Sequence, residues 1–171
     1  AAVGHYSARG TTYASHSNSA ALGSYALGKI QTGADNVAVG FQSLLETTTG
    51  AENVAVGRDA GKGSTTGLKN VLLGAYAGYR MSDGQVHEAN VLIGYNAGGG
   101  DWAAGASYHN IAIGKSALAG DLDGAFGNIA IGTDAGRTIE STNYNIAIGY
   151  GAMIDTSDFS VNNIFIGRSA G

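Results

Sequence analysis

The residues of this chain that could do chemistry are few, and none has the spacing of a known metal site. The histidines are His5, His16, His87 and His109. No pair of them has the spacing of metal ligands on one helix or strand. Asp121, Asp123 and Gly124 match only the beginning of a calcium-binding loop, because the closing glutamate is absent. We therefore expect no bound metal and no cofactor.

Catalytic motifs are also absent from the sequence. It contains no nucleophile elbow and no phosphate-binding loop. The enzymatic alternative is a depolymerase that cleaves polysaccharide between paired carboxylates. The carboxylates of this chain lie between its motifs without an evident pair. We expect a protein that is not an enzyme.

Aromatic side chains are the better candidates for binding. Exposed aromatic rings stack on sugars and anchor protein contacts. The candidate ligand-binding or receptor-binding residues are Tyr79, His87, Asp101, Trp102 and Tyr108. The alternative is that these aromatics cover the sides of neighbouring structural units.

A repeated motif must position these residues. Its pattern is Asn, a branched residue, a small residue or Leu, a branched residue and Gly, then two variable residues and Ala. It occurs in ten copies spaced 17 to 20 residues apart, and the first two copies are degenerate. The glycines of the ten copies, which we call the motif glycines, are Gly4, Gly23, Gly40, Gly57, Gly74, Gly94, Gly114, Gly132, Gly149 and Gly167. A period of this length predicts a stacked repeat fold.

Each copy reads as a short strand. In the copy that begins at Asn36, Val37 and Val39 alternate with Ala38, as expected for a strand with a period of two. The glycine that follows predicts either a turn with positive φ or a close approach of two backbones. We therefore predict an all-β fold, a parallel β-roll or β-solenoid of about ten turns of 17 to 20 residues.

Both faces of these strands are apolar, which predicts an oligomer. The face opposite the branched residues carries Ala38, Ala55, Leu72, Leu92, Ala112, Ala130, Ala147 and Phe165. A thin coil can bury only one face, so we expect the branched residues inside and the small residues against other chains. Three chains around one axis form the simplest closure, which predicts a parallel homotrimer.

The repeat asparagines predict a structural ladder, because Asn side chains readily bond local backbone and stack across in-register strands. Its members are Asn36, Asn53, Asn70, Asn90, Asn110, Asn128, Asn145 and Asn163.

The chain reads as a single repeat domain over residues 1–171 and as a fragment of a longer fibrous protein. Residues 1–35 hold the degenerate copies and residues 36–171 the regular ones. The connections lengthen at residues 79–89 and 99–109, and we expect these loops to lie side by side on adjacent turns. They contain all five candidate binding residues.

The composition argues against two classes of partner, nucleic acids and membranes. The formal net charge is -4 and no basic run exists, so nucleic acid is not expected as a partner. No apolar stretch is long enough to cross a membrane, so membrane insertion is not expected either. The chain has no cysteine, which excludes a disulfide scaffold.

The repeat resembles the left-handed parallel β-roll heads of trimeric autotransporter adhesins (YadA-like heads). It is more similar still to repeats of phage tail fibres that end in a self-cleaving chaperone, in which Thr-Thr-Gly commonly precedes a copy. Here that phrase occupies residues 48–50 and 65–67, three residues before Asn53 and Asn70. Its turns are longer than those of the adhesin heads.

The resemblance implies a left-handed coil and a homotrimer that attaches to the host cell surface. It implies a host surface glycan or an outer-membrane protein as the receptor. The location it implies is a virion tail fibre or, more broadly, the extracellular space or cell surface.

Two alternatives remain open. One is the head domain of a bacterial trimeric surface adhesin. The other is a monomeric solenoid that binds ice or a flat polymer, which needs a regular row of like residues. The residues after the motif glycines do not form such a row, since they run His, Ser, Phe, Arg, Ala, Tyr, Lys, Thr, Tyr, Arg.

Overall fold

Ten short strands, one per motif copy, form the framework of the chain. A computed structural model describes residues 1–10, 17–81, 85–102, 105–139, 141–154 and 161–171. The strands are β1 (Ala2–Val3), β2 (Ala20–Leu22), β3 (Val37–Val39), β4 (Val54–Val56), β5 (Val71–Leu73), β6 (Val91–Ile93), β7 (Ile111–Ile113), β8 (Ile129–Ile131), β9 (Ile146–Ile148) and β10 (Ile164–Ile166). The described residues contain no helix. His16 and residues 82–84 and 103–104 of the long loops lie outside this description.

The strands pair in parallel and in chain order, which makes the fold a parallel β-solenoid. They form one sheet from β1 to β10. Each residue pairs with its equivalent in the next copy: Val37 with Val54, for example, and Leu72 with Leu92. A strand is present for each of the ten motif copies, and the coil has about eight turns of about 18 residues.

The inward face of the strands is the reverse of the expected one. Ala38 and Leu92 are buried with no exposed surface, whereas Val56 is 39% exposed and Ile166 is 67% exposed. The small residues therefore point into the coil, and the branched residues point out. The prediction that the branched residues fill the coil was wrong.

The narrow interior of the coil explains this orientation. From the copy of Gly23 to that of Gly149, the residue three positions after the motif glycine is also buried, and between β4 and β10 it is always alanine, as at Ala60 and Ala117. Each strand thus faces a second column of small residues across the interior. Two branched side chains per strand do not fit into that space, and overfilled interiors are destabilised.

The motif glycines stack in a column that no other residue type can occupy. Their φ angles lie between 130° and 140°, a region that residues with a Cβ avoid. A Cβ on Gly94 would lie 2.5 Å from the carbonyl oxygen of Gly114. Both predicted reasons for the glycine, the positive φ and the close backbone approach, are confirmed.

Core volume is balanced between neighbouring turns. The fourth residue after the motif glycine is Leu at Leu44 and Leu118, where the strand centre is Ala. It is Gly at Gly78 and Gly98, where the strand centre is Leu. A Cβ on Gly78 or Gly98 would meet the Leu92 side chain. The glycines make room for the larger strand residues.

The asparagines form the ladder that the repeat predicts. Asn70 Oδ1 accepts hydrogen bonds from both the backbone N–H and the Nδ2 of Asn90, at 3.0 Å and 3.1 Å. Asn90 Nδ2 also donates to the carbonyl oxygen of Ser107 at 2.9 Å, which closes its own turn. The arrangement recurs along the stack, and all members except Asn163 are buried.

Candidate functional site

The two long loops lie side by side, as predicted. Trp102 donates its backbone N–H to the carbonyl oxygen of Arg80 at 3.2 Å. Arg80 and Asp101 form an isolated parallel bridge, and Glu88 and Tyr108 form another. Stacking on adjacent turns therefore brings the residues expected to bind a ligand into one region.

Two of the five candidate binding residues are core residues. Trp102 and His87 have no exposed surface, and their rings make an edge-to-face contact with centroids 5.4 Å apart. The His87 Nδ1 accepts a hydrogen bond from the backbone N–H of Ser107 at 3.2 Å. The expectation of an exposed Trp102 was therefore wrong, because this side chain fills the inside of its turn.

Gly98 is the sequence signal that could have placed Trp102 in the core. A Cβ on Gly98 would lie 2.9 Å from Cζ2 of Trp102. The position lacks a side chain and the following loop is long, so a loop residue can fold back over the strand. Met81 lies against Gly78 in the preceding turn in the same way.

The other three candidates lie at the surface. Tyr79, Asp101 and Tyr108 are half-buried. The backbone N–H of Asp101 donates to Oδ1 of Asp121 at 2.8 Å, so the Asp121 carboxylate serves the stacking of the loops. These three residues reach the surface, whereas Trp102 is buried.

A tyrosine cluster that the motif analysis missed lies next to Tyr79. The ring of Tyr76 makes edge contacts with Tyr79 and with Tyr95, at centroid distances of 5.5 Å and 5.7 Å. Lys62 places its Nζ 5.6 Å from the Tyr79 ring centroid. Tyr95 is 55% exposed. The short connections, and not only the long loops, therefore present aromatic surface.

The outer surface of the sheet is apolar and uncovered, and we call it the Val/Ile face. From β3 to β9 it consists of Val37, Val39, Val54, Val56, Val71, Leu73, Val91, Ile93, Ile111, Ile113, Ile129, Ile131, Ile146 and Ile148. All of these side chains are half-buried or exposed. They form two columns, because the strands pair in register.

A charge pair, Lys69 with Glu88, lies on the loop side of the coil. Lys69 donates to Oε1 of Glu88 at 2.9 Å. This hydrogen bond, followed by the charge of Lys69, lowers the pKa of Glu88 below its ordinary value of 4.5. The same contact raises the pKa of Lys69 above 10.5. Both side chains reach solvent, so the pair is a surface interaction of small energetic weight.

No metal centre or membrane span emerges within the part of the chain that the structure describes. No group of three or more His, Asp or Glu residues there could hold a metal ion. No helix in the same residues is long and apolar enough to cross a membrane.

Comparison of the chain with family models, with curated proteins and with solved structures finds no match. The site must therefore be interpreted from its own chemistry.

Proposed function

We propose that this chain is a rigid structural and receptor-binding segment of a trimeric tail fibre that attaches a virus to the host cell surface. The observation that supports it most is the Val/Ile face. In aqueous solution such a face favours contact with another surface, because the burial of apolar surface lowers the free energy.

The size of the face supports an interface between chains. Three residues of a strand span about 10 Å, and the seven strands from β3 to β9 stack over about 29 Å, so the face measures about 290 Å². A contiguous apolar patch of a few hundred Å² on a soluble protein is often functional. Val56, Ile113 and Ile131 contribute to it near the middle of the stack, where end effects are absent.

The partner that suits this face best is another copy of the same chain. A face of in-register columns matches an identical face turn by turn when the chains run parallel. Three such faces around one axis close the assembly. We also propose that the coil is left-handed, as in the β-roll families that the repeat resembles.

The proposed work of the segment is mechanical and adhesive. The stack holds a binding surface at a distance, and its side loops and tyrosines contact a host surface glycan or an outer-membrane protein. The proposal places the protein on a virion tail fibre, or more broadly outside the cell, and assigns it no catalytic step.

The test is the solution mass of the 171-residue chain by light scattering on a sizing column. The expected mass is three times 17.1 kDa. The double variant Ile113→Lys, Ile131→Lys should be folded and monomeric, because two charges interrupt the face. Tyr144→Lys is the matched control, since Tyr144 is 56% exposed and lies off the strands. A wild-type monomer, or a stable dimer, would contradict the trimer.

Two further candidates share the fold. A head domain of a bacterial trimeric adhesin would use the same face and give the same mass. An ice-binding or polymer-binding monomer is favoured by one observation, the two in-register columns of like residues on the outer face of the sheet. A monomer with measurable thermal hysteresis would replace the fibre proposal with this one.

A further inference from the structure

The residues that directly follow the motif glycines form an exposed column beside the Val/Ile face, which we call the post-glycine column. Its aromatic members are Phe41, Tyr95 and Tyr150, with exposures of 42%, 55% and 57%. Each is separated from the next by three turns of the coil. At the normal distance between strands, three turns correspond to about 14 Å.

A cation follows each aromatic residue one turn later. These cations are Arg58, Lys115 and Arg168, and all three are exposed. Arg58 lies over the Phe41 ring with its Cζ 5.6 Å from the centroid, and Arg168 lies over the Tyr150 ring at 5.7 Å. The same contact of aromatic and cation therefore occurs at the first and the last of the three pairs.

The column is positively charged on a chain with a net charge of -4. It contains no Asp or Glu. Arg58 makes one ion pair, from its Nε to Oδ2 of Asp59 at 3.2 Å. Among the described residues, Lys115 and Arg168 make no ion pair. Two of the three cations are thus free to bind an external anion.

We propose that the post-glycine column binds an extended acidic polysaccharide that lies along the rod, with one aromatic–cation step every three turns. The exposed parts of the aromatic rings, outside their contacts with the cations, stack on the C–H surface of sugar rings, and the adjacent cations pair with carboxylates of the polymer. This inference names the ligand class for the proposed attachment function, and its biological role rests on that function.

The wide spacing of the cations favours a polysaccharide over a nucleic acid. Double-stranded DNA carries one charge per about 1.7 Å of its axis and is bound by dense basic surfaces. Here the cations recur only every three turns, with Ala75 and Thr133 as the small residues between one step and the next. Sparse charge beside stacking surfaces suits sugars, only some of which carry carboxylates.

The middle step offers the largest platform. Tyr95 contacts Tyr76, which contacts Tyr79. This extends the stacking surface across two turns towards the long loops. We therefore expect Tyr95 to be the column residue whose loss weakens binding most, because central anchors dominate binding surfaces.

The experiment titrates the chain calorimetrically with oligosaccharides of alginate, hyaluronan and polygalacturonate, and with a neutral dextran of matched length. At least one acidic probe should bind at least about tenfold more tightly than dextran, and its binding should weaken as salt rises. If no acidic probe binds better than dextran, the inference is wrong.

Variants test whether the column carries the binding. Tyr95→Ser should weaken binding by about tenfold, whereas Tyr144→Ser, an equally exposed tyrosine outside the column, should leave it unchanged. The variant Ala75→Tyr, Tyr95→Ala keeps the number of aromatics and breaks their spacing. It should bind as weakly as Tyr95→Ser, and wild-type affinity would contradict the periodic site.

Light scattering on each variant separates this inference from the proposed trimer. A trimeric wild type that binds no acidic probe overturns the polysaccharide site alone, and a monomer that binds overturns the trimer alone. If Tyr95→Ser dissociates the oligomer, the column belongs to the interface between chains, and the inference is wrong.

Discussion

The side-chain amide of Asn110 donates to Oδ1 of Asn90 at 3.1 Å and to the carbonyl oxygen of Ala125 at 2.8 Å. Its own Oδ1 accepts from the backbone N–H and the Nδ2 of Asn128. One buried side chain thus joins three consecutive turns and closes the loop of its own turn. The ladder holds the strands at a fixed register.

Replacing Asn110 by Ala should destabilise the chain by about 3 to 5 kcal/mol, because buried backbone groups lose their partners. Asn110→Ser should cost less. Ser19 already occupies the equivalent position, and its Oγ accepts from the backbone N–H of Asn36 at 3.2 Å. Denaturant unfolding measures both free energies. Equal losses would show that the side-chain acceptor contributes nothing.

A methyl group on a motif glycine should be far more costly than one on a loop glycine. Gly94→Ala should cost more than about 3 kcal/mol, since it adds a clash with Gly114 to an unfavourable φ of 133°. Gly124→Ala is the control, because its φ is 72° and nothing lies within 4 Å of its Cβ position. There we expect about 1 kcal/mol. Thermal unfolding of both variants checks the order.

Substitution by lysine should have opposite effects on folding at two adjacent residues of β8, Ala130 and Ile131. Ala130→Lys should unfold the chain, because Ala130 has no exposed surface and an unpaired charge would enter the core. Ile131→Lys should leave the secondary structure intact, since Ile131 is 36% exposed in the single chain. Circular dichroism with light scattering distinguishes loss of fold from loss of assembly. A folded Ala130→Lys would contradict the observed orientation of the strands.

Trp102 should behave as a core residue in every measurement. Its fluorescence should be blue-shifted and protected from iodide, because the side chain has no exposed surface. Trp102→Ala should cost about 3 to 5 kcal/mol through the cavity that it leaves. Trp102→Phe should cost much less, because it keeps most of the volume and removes an Nε1 that has no hydrogen-bond partner among the described residues. Ready iodide quenching would contradict the burial.

The Lys69–Glu88 pair should affect the pKa values of its two members more than the stability of the fold. Lys69→Met should raise the pKa of Glu88 towards 4.5, measured by NMR, whereas Lys29→Met should leave it unchanged because Lys29 pairs with Glu46. The Glu88 contribution to stability is present above pH 4.5 and is lost as the pH falls through the lowered pKa. The Lys69 contribution is present below pH 10.5 and is lost as the pH rises through the raised pKa.

Repeat spacing was enough to predict the strands, their parallel register and the asparagine and glycine columns. The spacing of Gly40, Gly57 and Gly74 fixes which residues become neighbours, whatever the coil's detailed shape. The same constraints on strand pairing and backbone geometry then apply in every turn. A copy that is misassigned can be recognised by comparison with the other copies, which is impossible for a strand that occurs only once.

The orientation of the strands could not be predicted in the same way. Alternation shows that Val37 and Val39 oppose Ala38, and it does not show which side is inside. That depends on the interior width, which the alanines three residues after the motif glycines set. The position of Trp102 depends likewise on a space opened by Gly98, a relation between a turn and its loop.

Because neighbouring turns share core volume, a single turn cannot be duplicated or deleted without affecting the packing of its neighbours. Their backbones are interchangeable, yet the space beside Gly61 is occupied by Leu44 from the turn before and Leu72 from the turn after. A duplication or deletion of one turn would therefore bring together side chains that overlap or leave a gap. Genes of this kind should change length most readily in blocks of neighbouring turns, so that the length of the coil evolves in coarse steps.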